Sequence, residues 1–294
     1  MRHPFEQSPS FVPMTLESAA DFDELLHREL REDIGSGDLT TEAVIPEGAV
    51  ATADVVIRAR GVLAGLAVAM RAVALLDPHV VIEPRIADGS RVAAGAAVAR
   101  IRGAARAILT AERVALNFLG RLCGIATLTR AYVDAAAGSA ARIADTRKTT
   151  PGLRALERYA VRAGGGVNHR AGLYDAVLIK DNHIAAVGSI AEAIERARAA
   201  SPPGTLIEAE CDTLDQVRAA LTARADSILL DNMDIGSMAE AVRLIHGAAI
   251  VEASGGVNLS NVGAVAATGV DLISVGALTH GATSLDVGLD FVLG

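Results

Sequence analysis

Of the 27 basic residues in this chain of 294, only two are lysines, Lys148 and Lys180. Arginine carries the positive charge everywhere else, so two positions hold a compact ammonium where the chain otherwise uses a planar guanidinium. Both lysines fall where other chemistry-bearing residues gather. Asp145-Thr146-Arg147-Lys148 and Lys180-Asp181-Asn182-His183 each close a short apolar run, as do Glu210-Cys211-Asp212, Asp231-Asn232, Ser254-Gly255-Gly256 and Gly276-Ala277. Turn formation and helix capping explain Asp212 and Asp234. They do not explain Lys180 or Glu210, which end apolar runs and are poor turn formers.

Three kinds of chemistry are written in this set. Arg147, Lys148, His169, Arg170 and Lys180 are a group of cations in a protein of net charge −8. Crowding them into one partly buried mouth costs on the order of several kcal/mol per ion in lost hydration. Nearby acids or an anionic ligand must offset that cost, so the pattern predicts a ligand with several negative charges. Glu210 and Asp231 are two carboxylates suited to Mg²⁺, to sugar hydroxyls or to a cationic carbon, and equally to salt bridges with the basic group. Ser254-Gly255-Gly256 and Gly276-Ala277, with His280 close by, are loops able to offer backbone N–H groups to a phosphate. The glycine triplet Gly164–Gly166 ahead of Asn168-His169-Arg170 points to a mobile loop or a close backbone approach to a ligand.

These residues need elements that bring them together. The apolar runs cover 142–145, 176–180, 206–210, 227–231, 249–254 and 271–276, and they lack clean alternation, which predicts strands buried on both faces. Ala-rich helical stretches over 189–200, 213–223, 237–246 and 260–268 separate them, with Ser260 as a possible N-cap. Strand and helix alternating at this spacing form parallel βαβ units. Six such units predict a closed or nearly closed βα barrel, with an open doubly wound sheet as the alternative. In a barrel all strands deliver their carboxyl ends to one face, so residues spread over much of the chain line one mouth. Ahead of this region, 20–32 reads as an amphipathic helix and 34–46 as a loop rich in Gly and Thr. Strands are expected at 53–60, 80–86 and 98–101, a helix at 67–76, and a long helix over 105–122. Residues 1 to about 15, with three prolines, read as an arm.

Composition narrows the classes. Hydrophobic residues make up 51% and charged residues 21%, enough for a sizeable core and inconsistent with disorder. Apolar stretches are broken well short of a membrane span, and the first residues lack the apolar core of a secretory signal, so neither membrane nor export is expected. The acidic balance argues against nucleic-acid binding. Two cysteines, Cys123 and Cys211, make neither a disulfide framework nor a metal site; both read as packing residues, in keeping with a cytoplasmic location. The phosphate-binding P-loop, the dinucleotide glycine fingerprint, the His-Glu-x-x-His zinc motif and the G-x-S-x-G nucleophile elbow are all missing.

Eight segments resemble the quinolinate phosphoribosyltransferases: REDIGSGDLTT from Arg31, ERVALNFL from Glu112, DTRKTTPGLR from Asp145, AGGGVNHRAGLYDAVLIKDNHI from Ala163, IEAECD from Ile207, LLDNM from Leu229, EASGGV from Glu252 and ISVGALTH from Ile273. They run in order from about residue 30 to 280. The resemblance implies an α/β fold: a small α+β sandwich domain over 1–115, rejoined by a C-terminal tail over 281–294, and an incomplete, roughly six-stranded βα barrel over 116–280. It implies transfer of phosphoribose from phosphoribosyl pyrophosphate to quinolinate, with loss of CO₂, in NAD biosynthesis. It implies Mg²⁺ and no organic cofactor. Thr146, Arg147, His169, Arg170 and Lys180 would surround the quinolinate carboxylates, with Arg113 sent in by a partner subunit of a homodimer. Lys148 and Lys180 would lie between ring and pyrophosphate. Glu210 and Asp231 would face ribose and metal; Glu208 is a second candidate for the first acid, and the strand-end position favours Glu210. Ser254, Gly255, Gly256, Gly276, Ala277 and His280 would hold the 5′-phosphate. The rivals are a paralogue of the same fold associated with molybdenum transport, a Schiff-base aldolase using Lys180, and a non-enzymatic anion-binding protein.

Overall fold

The computed structural model describes residues 11–292. The first ten residues of the expected N-terminal arm lie outside the described residues. In chain order the elements are α1 (Asp23–Ile34), α2 (Leu39–Val44), β1 (Val50–Ile57), β2 (Gly61–Val62), α3 (Leu66–Leu76), β3 (Val81–Pro84), β4 (Arg91–Val92), β5 (Ala96–Ala104), α4 (Ala105–Ala135), β6 (Arg142–Ala144) and α5 (Arg154–Ala163). They continue with β7 (Val177–Ile179), α6 (Asp181–Val187), α7 (Ile190–Ala200), β8 (Ile207–Cys211), α8 (Leu214–Thr222), β9 (Ser227–Asp231), α9 (Ile235–Ile245), β10 (Ile250–Ser254), α10 (Val262–Ala266), β11 (Leu272–Ser274), α11 (Ala277–His280) and β12 (Val287–Phe291). Two compact units result: a sheet unit from 11–128, 155–165 and 282–292, and a barrel unit from 129–154 and 166–281.

The sheet unit is built on an antiparallel sheet in the order β12-β1-β5-β3. Alternation turns Ala53, Val55 and Ile57 of β1 and Ile101 of β5 to the core, all fully buried. Asp88 anchors the start of α3 by accepting the N–H groups of Gly65 at 2.7 Å and Leu66 at 3.3 Å, and it also accepts the Tyr159 hydroxyl at 2.6 Å. The 34–46 segment is not wholly loop. Asp38 accepts the Thr41 N–H at 2.9 Å and so caps the short helix α2. Its six residues span too few turns to show a helical period, so the cap is the only local signal. The helix read from Ala20 starts at Asp23, after a 3₁₀ turn over Ser18–Phe22.

The barrel unit contains the six parallel strands in the order β6-β11-β10-β9-β8-β7. A doubly wound sheet would place its first strand inside and wind outward both ways. Here β7 to β11 follow one another across the sheet and β6 joins beyond the last, which is barrel winding with one seam unpaired, between β6 and β7. Beside that seam Val167 forms a parallel bridge with Ala144 of β6. Strand interiors are apolar on both faces, as at Ile228, Leu229 and Leu230 of β9. Helix starts are set by capping: Thr213 and Gln216 form a reciprocal box on α8, and Asp234 accepts the Ser237 N–H at 2.9 Å on α9. Asp212 precedes the cap and is not itself one. Ser260 does not cap α10 either. Asn261 takes that position, and the Ser260 hydroxyl bonds the Asn258 side chain instead. Among the described residues no helix is long and apolar enough to cross a membrane.

Candidate active site

The carboxyl ends of the barrel strands surround a cavity of about 720 Å³. The loop after β6 brings Thr146, Arg147 and Lys148, and the loop before β7 brings His169 and Arg170. Lys180 follows β7, Glu210 stands on β8, and Asp231 ends β9. Ser254, Gly255 and Gly256 follow β10, and Gly276, Ala277 and His280 follow β11. The candidate residues read from the sequence line this cavity except Glu208, which is buried on β8, and Arg113, which is exposed on α4 of the sheet unit. Leu178, Leu229, Val257 and Val275 add apolar lining.

The cations are held in different ways. Lys180 Nζ donates to Glu210 Oε2 at 2.8 Å, and its backbone N–H donates to His183 Nδ1 at 2.9 Å. Lys148 is exposed, but its backbone is fixed: its N–H donates to Thr146 Oγ1 at 3.1 Å and its carbonyl accepts from the buried Thr279 hydroxyl at 2.7 Å. Its stem passes over Gly276, where an added Cβ would stand 3.0 Å from Lys148 Cδ. Arg170 Nη1 donates to the Ala176 carbonyl at 3.1 Å. Burial and the neighbouring Arg147 charge lower the Arg170 pKa, while Glu208 opposes that shift. Arg147 Nε is buried without a hydrogen-bond partner. A buried donor left unmade costs about 1–3 kcal/mol. On a cavity wall such a donor marks a place for an acceptor from a ligand.

Glu210 and Asp231 stand on adjacent strands, with Glu210 in register with Leu229 two residues before Asp231. Asp231 accepts the Asn232 side-chain N–H at 2.8 Å. Asn232, at φ 54, is one of few non-glycine residues in the left-handed region, and its backbone N–H donates to the Ser254 carbonyl. It therefore links Asp231 to the glycine loop, a role that its place in the strand end Asp231-Asn232 did not reveal. At Gly255, φ is +87, and a Cβ would stand 2.2 Å from Asn232 Oδ1 and 2.9 Å from Asn232 N. At Gly256, φ is +63, and a Cβ would meet nothing within 4 Å. Gly256→Ala is expected to cost about 1–2 kcal/mol, the backbone penalty alone. Gly255→Ala adds a steric clash to the same penalty, and a total of about 3 kcal/mol is expected. Melting temperatures of the two variants check this order.

Sequence reading also missed Glu252 and Ser274, which line the floor of the cavity. Glu252 was visible only as an acid inside the apolar run 249–254, an expensive place for a charge. Glu208 points away from Glu210's role: it is 3% exposed, inside the barrel, and His169 Nε2 lies 3.1 Å from both Glu208 Oε2 and Glu252 Oε2. Burial disfavours the charged ring, but the two carboxylates outweigh it and raise the imidazole pKa to about 10. Burial and the Glu208 charge push Glu252 up to about 7. Burial also opposes the Glu208 charge, yet His169 and the Ser227 hydroxyl hold that acid below its ordinary value. The protons belong to the cluster. An imidazolium between two carboxylates and a neutral imidazole beside one protonated acid carry the same net charge of −1.

Whichever of its groups carries it, the folded cluster retains one proton that the unfolded chain has released. That contribution to stability is complete below the unfolded value of about 6.5 and is lost as pH rises through about 10. The melting temperature is therefore expected to fall between pH 7 and 10, and His169→Gln is expected to flatten that dependence. A pH series of melting curves on both proteins checks it.

Cys123 and Cys211 are buried free thiols, each pushed up to about 12 by burial, as suits packing residues.

The family model for the N-terminal domain of quinolinate phosphoribosyl transferase matches residues 38–123, and the C-terminal model matches residues 125–290. The chain is 46% identical to nicotinate-nucleotide pyrophosphorylase (carboxylating) of Mycobacterium leprae, over 93% of this chain and 99% of that one. It is 40% identical to quinolinate phosphoribosyltransferase (decarboxylating) 2b of Nicotiana tabacum, over 92% and 82%. The crystal structure of NadC from Streptococcus pyogenes superposes with a TM-score of 0.90 at 42% identity, covering 93% of this chain and 98% of that one. A human nicotinic acid phosphoribosyltransferase at 13% identity and a TM-score of 0.61 shares the fold. With both domains matched in order and relatives aligned over nine-tenths of its length, this chain belongs to the quinolinate phosphoribosyltransferase family.

Proposed function

We propose that this chain joins quinolinate to phosphoribosyl pyrophosphate, releasing pyrophosphate and CO₂ and leaving nicotinate mononucleotide for NAD biosynthesis. The observation that supports it most is the unpartnered, buried Arg147 Nε on a cavity wall shared with Lys148, Arg170 and Lys180. Two anionic substrates suit such a wall. Arg147 and Arg170 grip the ring carboxylates, bidentate contacts that fix the plane of the ring and aim its nitrogen at the anomeric carbon of the ribose. Leu178, Leu229 and Val275 offer apolar surface to a flat ring. Lys148 and Lys180 lie between ring and pyrophosphate and offset charge on the leaving group. The loops 254–256 and 276–277 supply backbone N–H groups to the 5′-phosphate, with His280 beside them.

Glu210 and Asp231 face the ribose, where two carboxylates stabilise the positive charge that develops as the bond to pyrophosphate breaks. Two hard oxygen donors together with substrate phosphates also suit Mg²⁺, and these two residues would hold it; bound there, it would neutralise pyrophosphate charge. Once the ring nitrogen is bonded to ribose it is cationic. The bond from C2 to its carboxylate then breaks, CO₂ leaves, and the electron pair stays on C2 beside the cationic nitrogen until a proton adds. The ring is its own electron sink, so the reading includes no organic cofactor.

The reading includes a homodimer in which Arg113 of a second copy completes the ring subsite. Exposure of Arg113, outside the cavity lining of its own chain, supports this. It also includes a reducing, cytoplasmic setting, in keeping with two buried free thiols. Purified protein supplied with quinolinate, phosphoribosyl pyrophosphate and Mg²⁺ is expected to release CO₂ and nicotinate mononucleotide. Nicotinate is run beside quinolinate, and turnover of nicotinate alone overturns the substrate.

A further inference from the structure

Behind the cationic wall, the interior of the barrel holds charge where an apolar layer is the ordinary filling. Glu208 on β8 and Glu252 on β10 are 3% and 1% exposed. Side chains from alternate strands of a βα barrel share one layer, which is how two acids 44 positions apart come to face each other across β9. Two adjacent buried carboxylates repel each other and lose hydration, an arrangement a stable core does not retain without compensation. The compensation is specific. The Ser227 hydroxyl donates to Glu208 at 2.8 Å, and the His169 ring stands between the acids with Nε2 3.1 Å from each.

The other end of the ring is also engaged. His169 Nδ1 accepts the backbone N–H of Arg170 at 2.8 Å, and the His169 backbone N–H donates to Asp145 at 2.7 Å. Both ring nitrogens thus have partners inside the protein, and His169 ties the cavity wall to the acids behind it. A continuous path runs from the buried acids through the imidazole to the backbone of Arg170. Arg147 repels the Arg170 guanidinium, and Glu208 attracts it. Without a bound anion, the acidic floor is the counter-charge that keeps two neighbouring guanidinium groups in one wall.

We propose that Glu208 and Glu252 are positioning residues of the ring-substrate subsite, acting through His169 to hold Arg170 in place against the repulsion of Arg147. The proposal rests on the reading that this cavity takes quinolinate. It assigns the acids no contact with substrate. The hydrogen-bonded path from the acids leads through His169 to Arg170, so their effect is expected on the ring substrate and not on the phosphoribosyl donor.

Glu208→Gln and Glu252→Gln preserve size and one acceptor oxygen while replacing the ionisable carboxyl with a neutral amide. With both substrates varied, each is expected to raise KM for quinolinate about tenfold and to leave KM for phosphoribosyl pyrophosphate within about twofold. A role in packing alone would move the two constants together or lower only the active fraction. A second measurement needs no variant to fold: in the wild-type protein, imidazole ¹⁵N resonances of His169 are expected to shift with quinolinate alone and to stay put with pyrophosphate alone. Quinolinate constants unchanged in the folded variants, constants that rise in parallel, or His169 resonances indifferent to quinolinate would each overturn the proposal while leaving wild-type turnover intact. Absence of quinolinate turnover by the wild type would instead overturn the functional reading, and the proposal with it.

Discussion

Arg147→Ala is expected to lower kcat/KM by a hundredfold or more, about 3 kcal/mol of transition-state stabilisation, with a melting temperature close to wild type. Two features of the residue lead to this. Its Nε is buried without a partner, so the folded protein already carries the cost of a donor that no protein group satisfies. Its charge opposes that of Arg170, so the resting protein gains little from keeping it. Truncation removes a cation that acts on substrate and relieves a local repulsion, which separates the effect on rate from the effect on stability. Arg147→Lys is expected to recover only part of the activity, because an ammonium cannot span a planar carboxylate with two parallel hydrogen bonds. Steady-state kinetics beside thermal melting decide it: a variant with near-wild-type kcat/KM would remove Arg147 from the site.

Mixing two dead proteins is expected to give the other large effect. On the proposed dimer, the Arg113→Ala and Arg147→Ala proteins are each expected to lack one arginine at every site. When subunits exchange at random, half of the dimers are mixed. In a mixed dimer one site has both arginines and the other has neither, so about a quarter of all sites become complete. Activity is expected to climb from about a hundredth of wild type to about a quarter of it. If Arg113 acted within its own chain, no combination would restore a complete site and activity would stay at the floor. Exchange is followed independently with differently tagged subunits, so a flat result has one meaning.

The two predictions draw on different levels of the molecule. Arg147 stands in a segment whose chemistry is visible in its letters: an apolar strand that ends in Asp-Thr-Arg-Lys declares a polar strand end. The same holds for Lys180, Glu210 and Asp231, and the six strands observed lie within one or two residues of the runs of apolar sequence. Elements of this kind are set by local composition. A run buried on both faces has to be apolar throughout, and the residues that follow it are free to be functional because they lie beyond the sheet. The helix α2 was not legible, because one cap and six residues carry too little periodic signal.

Glu208 and Glu252 show where local reading ends. Each is one acid in an apolar strand, and Glu208 competed with Glu210 for one role on strand-end position alone. Strand alternation turns Glu208 and Glu210 to the same face, so it does not separate a buried strut from a cavity wall. What separates them is depth along the barrel, and depth depends on the register between β8, β9 and β10. Asn232 is similar: its left-handed backbone and its hold on Gly255 arise from the approach of two loops, not from either loop's sequence.

From its letters alone, then, the chain determined its alternating elements, the polar strand ends and the polyanionic character of what those ends bind, because these follow from local hydrophobicity and net charge. Only the tertiary structure decided that the sheet winds as a barrel with its first strand beside its last, that two acids meet around one imidazole, and that Arg147 is left with an unused donor. Those outcomes depend on strand register and on distances between residues far apart in the chain, and neither is encoded in any single segment.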